Sequence, residues 1–600
     1  MASLSHSKLL PLLLVCAALC YLPSLSFPLL EGWDDPTYIL DNAERLTPSL
    51  TNVQRFLEAP YFNNYHPVTM LSYMVDFSIG RTNAFVYRLQ NLLWHLIACA
   101  GLYACLCRFG IGRSLSWFLA LLWAVHPQRV ESVVWVSERK DVLCGAFIFW
   151  ALWCYTRQPA RYTAAFLLFL LAILSKAMVV TFVGVLALME WSKHDGRLGW
   201  QSVKRLLPYA CLSVVMAAAT VNAQGEAVRA NVPLLRRLPA AVWNTVWYVC
   251  RTLVPTDLCP MYPRIDPHAA ALLAVLIAPL CLGSAVTLWR LSRNPIRRHR
   301  CIQIVSGLLA YPTVLAPVCG LVPLAFIDRA DRYSYLPSAV LLWLLGRLAQ
   351  GAWESERVKA FRSRIPKQRL ATGMGLAATV IAATLMWQTY LYARVWQSYT
   401  SVLYTAYLVD RPHPRVIGAL AEALLEAKEG AAVWRLAGEL EASDRPYLSS
   451  GQREAHEMKA AFLRAAVLEM DGELAGAALC LEDIDRRVRN GDTSTFLDPR
   501  RYCHMKAGIE MRLERFEQAI ASYTQLLRRH PNDGPAYLGR GRAHHRLEQL
   551  ELALADFLQA QALDPYSSQA AEGIRQAQVA MESVESGPAR NAGAVPTKEP

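Results

Sequence analysis

Up to about residue 392, apolar residues come in long blocks separated by short polar stretches, and beyond that point the pattern changes. A helix that crosses a bilayer needs roughly 20 apolar residues. Blocks that reach or approach that length run at about 9–30, 86–107, 114–128, 142–157, 162–175, 177–191, 206–222, 269–289, 302–324, 333–350 and 370–392. A further block, 238–254, is shorter and flanked by Arg236, Arg237 and Arg251, which predicts a re-entrant or interfacial helix. From Arg394 onward the chain is rich in Ala, Leu, Glu and Arg, and its apolar positions follow helical spacing. The expected architecture is all-α. A polytopic membrane bundle of about 11 spans occupies 1–394, a helical repeat domain 395–581, and a disordered tail 582–600.

The last third contains a repeat. Ala519, Tyr523 and Pro531 recur 34 residues later as Ala553, Phe557 and Pro565, with Gly541 and Ala560 at two further positions of the pattern. This period with small, aromatic and proline positions is the tetratricopeptide signature. The small residues let the two helices of a repeat approach, the aromatic fills the gap, and the proline ends the pair. The clearest copies span 500–533 and 534–567. Two copies cannot bury their own faces, so the helical stretch 414–490 is expected to add degenerate repeats to the same solenoid.

Composition narrows the class. The chain has 600 residues, of which 54% are hydrophobic and 18% charged, against roughly 25% charged in ordinary soluble proteins. A soluble enzyme is excluded. The net charge of +13 does not point to nucleic acid, because the basic residues sit mostly in short loops between apolar blocks. Arg108/Arg113, Arg157/Arg161, Lys193/Arg197/Lys204/Arg205, the cluster Arg290–Arg300 and the run Arg357–Arg369 fall on alternate loops, which makes that side cytoplasmic. Eleven crossings then leave the N-terminus inside and the first loop, 31–85, and the repeats outside, as in a multi-pass inner-membrane protein. The first block follows Lys8 and lacks a small-x-small site to close it, so it is expected to stay as a span. The 15 cysteines show no zinc spacing, and Cys99, Cys211 and Cys281 read as small buried hydrophobes.

Candidate chemistry lies in polar clusters on the outer face. Asp34 and Asp35 follow the first span, and paired carboxylates suit a general base; the competing reading is a helix cap before Pro36. The same loop holds Asn63-Asn64-Tyr65-His66-Pro67. A second cluster runs from His126 through Arg129 and Glu131 to Glu138, Arg139, Lys140 and Asp141, where dense ionisable groups beside a membrane mark a site more often than a surface. Lys176 interrupts the apolar stretch Phe166–Leu188; it suits a lipid-linked phosphate, or else snorkels to the interface. A last group, Asp328 to Tyr333 with Asp331 and Arg332, enters the next span.

Taken in order, WDDPTYI, NYHPVTMLSY, Asn91/His95, HPQRVESVVWVSERKDVL, LSKAMVVT and DRYSYLP resemble the transmembrane-and-tetratricopeptide-repeat glycosyltransferase family, over about residues 10–400 and into the repeats. Its eukaryotic members are O-mannosyltransferases of the endoplasmic reticulum. The resemblance implies a GT-C-like bundle that takes a sugar from a polyprenyl phosphate and transfers it, with inversion, to a hydroxyl outside the cytoplasm. It matches Asp34-Asp35 to the acidic pair carrying the catalytic carboxylate. Arg139 and Asp141 match the polar pair of the second outer segment, Lys176 the basic residue opening the next outer turn, and Asp331-Arg332 the pair before Tyr333. His66 departs from the Arg usual in eukaryotic members, which puts mannose specificity in doubt.

The implied mechanism uses Asp34 or Asp35 as base and Arg139, Lys140 and Lys176 as cations on the donor phosphate. A divalent metal has room beside paired carboxylates, though nothing requires one. The repeats would present a groove to a protein or peptide acceptor. A non-catalytic membrane scaffold displaying repeats would explain 395–600 but not the ionisable clusters. A transporter would need mid-span polar groups and internal symmetry, and neither is evident.

Overall fold

The computed structural model describes residues 6–224, 233–262, 267–293, 295–322, 329–409, 413–442, 450–490 and 498–585. Among these residues the regular elements are all helical. The chain divides into two compact units, Met1–His413 and Pro414–Pro600. The division falls later than the 394/395 boundary expected from composition, because Tyr399–Tyr407 packs Val402, Leu403 and Ala406 into buried positions within the first unit.

Among the described residues of the first unit, five helices are long and apolar enough to cross a membrane: Lys8–Ser26, Ala84–Arg108, Trp200–Gln224, His268–Thr287 and Lys367–Val395. This is fewer than the expected eleven, and particular residues account for the difference. Block 114–128 is helical only over Arg113–Ala124, 12 residues, or about 18 Å at 1.5 Å per residue, where a hydrocarbon core is about 30 Å thick. The helix ends where the His126 side chain accepts a hydrogen bond from the Gln128 amide and caps the turn Pro127–Arg129. Blocks 162–175 and 177–191 part at Lys176, into Tyr162–Ser175, a tight turn Ala177–Thr181, and Phe182–Lys193. Block 238–254 forms a full 20-residue helix, Leu234–Leu253. The Tyr248 hydroxyl of that helix donates to the Ala330 carbonyl at 3.0 Å, and its Asn244 amide donates to Cys319 O at 2.8 Å.

Small residues and internal hydrogen bonds hold the bundle. A methyl group on Gly101 would lie 2.9 Å from Phe149, and one on Gly145 would lie 2.4 Å from the Tyr335 ring, so glycine at these positions lets the helices Ala84–Arg108 and Arg139–Thr156 close on their neighbours. Tyr21 donates to Ala124 O, and His95 sits between Tyr335 OH at 2.9 Å and Ala124 O at 3.1 Å. These polar groups thereby meet protein partners, which an apolar surrounding favours. Cys99 is buried as expected, whereas Cys211 faces outward; the Cys281 side chain lies outside the described ones.

The second unit is a stack of antiparallel helix pairs. Pro499–Arg512 with Phe516–Arg529 and Gly534–Arg546 with Leu550–Leu563 are the two clear repeats. Pro414–Glu426 with Gly430–Glu441 and Ser450–Met470 with Leu474–Asn490 stand before them. Ala519 and Ala553 are fully buried, and a methyl on Gly541 would lie 2.8 Å from the Phe557 ring. The small-and-aromatic pattern is therefore a packing rule made visible. Ser568–Glu585 closes the stack, so residues 582–585 are helical, and 586–600 of the expected tail lie outside the described residues.

Candidate functional site

Five segments of the first unit meet around Glu138. The turn Val136–Glu138 delivers this residue just before the helix Arg139–Thr156 begins. The Glu138 carboxylate faces Lys140 at 3.1 Å, Lys176 at 3.3 Å and Arg332 Nε at 3.2 Å. Burial alone would push this carboxyl up, but Lys140, Lys176 and Arg332 together hold it well below the usual range. Lys176 also reaches Asp141 at 2.5 Å, and Asp141 accepts from Ser132 at 3.1 Å. Arg332 is ion-paired with Glu131, which also accepts from the Arg332 amide at 2.8 Å. Burial works against the charge of Lys140, yet Glu138 outweighs it and the ammonium stays up. The two ammonium side chains are 15% and 13% exposed, so the cluster opens to its surroundings only at their tips.

The acidic pair divides. Asp35 is fully buried, and its carboxylate accepts from the Leu30 amide at 2.9 Å, the Ser137 amide at 3.2 Å and the Ser137 hydroxyl at 2.5 Å. It ties the end of the first span to the turn before Glu138. Asp34 is half-buried; burial pushes its carboxyl up while Lys140 pulls it down. Neither acid caps the turn Pro36–Leu40 through its side chain, so the cap reading falls.

Not all the expected residues join the cluster. Arg139 is fully buried and paired with Asp76; it donates to Asn91 and to Tyr87 O, both at 2.8 Å, and its guanidinium lies 4.6 Å from the Tyr73 ring centroid. It fastens the helix Pro67–Gly80 to Ala84–Arg108. His126 spans the Gln128 amide and Thr252 O, a brace rather than a site residue. Asp331 turns away from Arg332 and accepts from Tyr262 at 2.8 Å and Tyr392 at 3.1 Å. His66 does approach: its ring centroid lies 5.7 Å from that of Tyr38, and Tyr38 has Lys140 Nζ 5.7 Å from its own centroid. Asp328 lies outside the described residues.

Sequence reasoning missed Tyr38, Arg88 and Tyr333 as members of this architecture. Arg88 is buried and donates to Phe27 O at 3.0 Å, with Val134 O and Pro28 O beside it, pinning the chain that leads to Asp34. An arginine near the start of an apolar block was the available signal. Tyr333 lies under both Lys176 and Arg332. Met178 and Val179, just past Lys176, begin an apolar groove that continues along Phe182, Val185 and Met189 to Trp343. Among the described residues no three His, Cys, Asp or Glu side chains are grouped as metal ligands, and the oxygens of Asp35 are already engaged.

Comparison with known proteins gives a repeat-family match and a set of partial relatives. Residues 504–568 match the tetratricopeptide repeat family. The chain is 26% identical over 287 residues to the protein O-mannosyl-transferase TMTC3 of Mus musculus, covering 45% of this chain and 30% of that protein. Against its counterpart in Homo sapiens it is 25% identical over 255 residues, 40% of this chain and 27% of the relative. Against the protein O-mannosyl-transferase tmtc2 of Xenopus laevis it is 36% identical over 99 residues, 16% and 11% of the two chains. The matched stretches thus span less than a third of these relatives, and the homology to the O-mannosyl-transferases is partial.

Proposed function

We propose that the first unit is a membrane glycosyltransferase of GT-C type that moves a sugar from a polyprenyl-phosphate donor to a hydroxyl acceptor on the outer face of the membrane, with inversion. The observation that carries this reading is the meeting of a half-buried carboxylate, Asp34, with Lys140, Lys176 and Arg332 around Glu138. In the reaction the bond between the anomeric carbon and the phosphate oxygen breaks, and negative charge grows on the leaving phosphate. Lys140 and Lys176, held charged and with their tips accessible, would stabilise that charge as it forms. Asp34 would take the proton from the attacking hydroxyl, with burial pushing its carboxyl up against the pull of Lys140. Asp35 and Arg139 would serve by holding the loops that present these groups. The apolar groove from Met178 onward supports a lipid-linked donor, whose chain would lie beside the phosphate site.

Partial homology to proteins named as O-mannosyl-transferases supports an exported protein or peptide as acceptor. Tetratricopeptide repeats commonly bind protein partners, so the second unit would capture it. Eleven crossings, an inner-membrane setting and outward repeats belong to the same proposal. A scaffold alone would explain the repeats, but it has no use for a buried charge cluster with a poised acid beside it.

The test is mass spectrometry of exported proteins from cells carrying the wild-type gene, an Asp34→Asn variant or no gene. Sugar-bearing Ser or Thr peptides should appear only with the wild type. Identical glycopeptides in all three would contradict the reading.

A further inference from the structure

Most ionisable side chains around Glu138 are paired, but two polar side chains at its edge are not. The Tyr38 side chain is 1% exposed and its hydroxyl has no hydrogen bond to protein. His66 is 4% exposed; the Asn64 backbone lies close enough to favour its charged form, but neither ring nitrogen makes a hydrogen bond of normal geometry. The two rings lie 5.7 Å apart between centroids. They come from separate parts of the first loop, Tyr38 from the turn Pro36–Leu40 and His66 from the residue before the helix Pro67–Gly80. Buried polar groups are nearly always hydrogen-bonded, and leaving one unsatisfied is costly. Two neighbouring exceptions beside a charge cluster need a cause.

We infer that Tyr38 and His66 form a hydroxyl-binding subsite that grips the sugar of the donor and contributes to sugar selectivity. The inference rests on the glycosyl-transfer reading above and deepens it. The chemistry selects the ligand class. Burial, with Lys140 adding to it, pushes the imidazole down to about 3, so near neutral pH the ring carries one donor and one acceptor nitrogen. The Tyr38 hydroxyl also donates and accepts. A phosphate offers mainly acceptors and an apolar chain offers neither, whereas adjacent sugar hydroxyls do both. The location agrees: Tyr38 lies within the electrostatic reach of Lys140, Glu138 and Asp34, and His66 within that of Lys140, Glu138 and Lys176. Phe62 covers Tyr38 edge-on at 5.6 Å. It is carried by a turn with Phe62 and Asn63 at φ 46° and 57°, closed by the Tyr61 and Asn64 backbones at 2.8 and 3.0 Å. Phe62 itself is 45% exposed, so the subsite has a thin roof and not a deep overlay.

The test uses the full-length chain in nanodiscs, with binding of sugar-free polyprenyl phosphate and of polyprenyl-phosphate mannose, glucose and N-acetylglucosamine measured by titration. The wild type should bind at least one glycosylated lipid more tightly than the bare phosphate. Tyr38→Phe and His66→Phe should each erase at least tenfold of that preference and leave the affinity for bare phosphate within about twofold. Tyr38→Phe should also keep or raise Tm without ligand, since it deletes an unsatisfied hydroxyl; a lowered Tm would mean that the hydroxyl serves the fold, and would overturn the inference. An unchanged preference in both variants, or equal losses for bare and glycosylated lipid, would overturn it too. A wild type that binds bare phosphate without any preference refutes the subsite alone. One that binds no lipid refutes the glycosyl-transfer reading and the subsite with it.

Discussion

At the scale of single residues, Asp34 and Asp35 show how far a motif can be read. The adjacent acids were visible in the chain, but their division of labour was not, because it depends on Leu30 and on Ser137, which is 102 residues away. Asp35→Asn should destabilise the folded protein by about 1.5–3 kcal/mol, the range for hydrogen bonds to a charged group, because an amide cannot accept at both oxygens. Asp34→Asn should leave thermal unfolding within about 0.5 kcal/mol of wild type, as surface-type changes do. Equal melting of the two variants would show that Asp35 is no clamp. The partners of Arg139 are hidden from the sequence for a similar reason. Its neighbours in sequence are site residues, while its partners Asp76 and Asn91 come from helices that only folding brings near. Arg139→Gln should therefore cost about 3–5 kcal/mol by stranding a buried acid. Lys176→Gln takes the cation from buried Asp141 and should destabilise the fold as well, but per folded molecule it should lose at least tenfold in affinity for a polyprenyl phosphate while Arg139→Gln should not; the opposite split in paired melting and binding assays would place Arg139 at the phosphate.

Among the elements, the turns between helices matter more than the long apolar helices. The chain advertises them through His-Pro and charged stretches, and the helices break where those stretches begin: at Ala124 before His126, and at Ser175 before Lys176. Block lengths were harder to judge, since apolar residues continue across a break that one capping side chain decides. The turn Asp331–Ser334 gives a pH prediction. Burial, with Glu131 adding to it, pushes Asp331 up to about 8, despite the hydroxyls of Tyr262 and Tyr392 and the charge of Arg129. An unfolded aspartate titrates near pH 4. Between about pH 4 and 8 the folded chain holds a proton that the unfolded chain has lost. Stability should therefore fall as pH rises across that window, by up to about 1.4 kcal/mol per unit from this group. Asp331→Asn should flatten that slope in unfolding measured at several pH values. An unchanged slope would mean that Asp331 is already ionised in the fold.

For the whole molecule, the repeat period was the most legible feature, because Ala519, Tyr523, Gly541 and Phe557 occupy the positions where helices touch. The membrane unit was legible as apolar and helical, but the convergence on Glu138 joins residues 34, 66, 138, 140, 141, 176 and 332, and no local pattern encodes it. The two compact units predict a division of labour: a chain ended at His413 should insert and bind lipid-linked donor within about twofold of the intact protein, yet glycosylate a full-length protein acceptor at least tenfold more slowly. Undiminished glycosylation would assign the repeats another task. Glycosyl transfer by Asp34 and its cationic neighbours can be measured with purified protein in nanodiscs supplied with polyprenyl-phosphate sugars and a Ser/Thr peptide, with release of free polyprenyl phosphate followed by mass spectrometry. The wild type should release it in step with glycopeptide, Asp35→Asn should do so at a similar rate per folded molecule, and Asp34→Asn should be slower by about 10²–10⁴-fold, the usual contribution of a general base. Turnover by Asp34→Asn equal to that of the wild type would contradict the account.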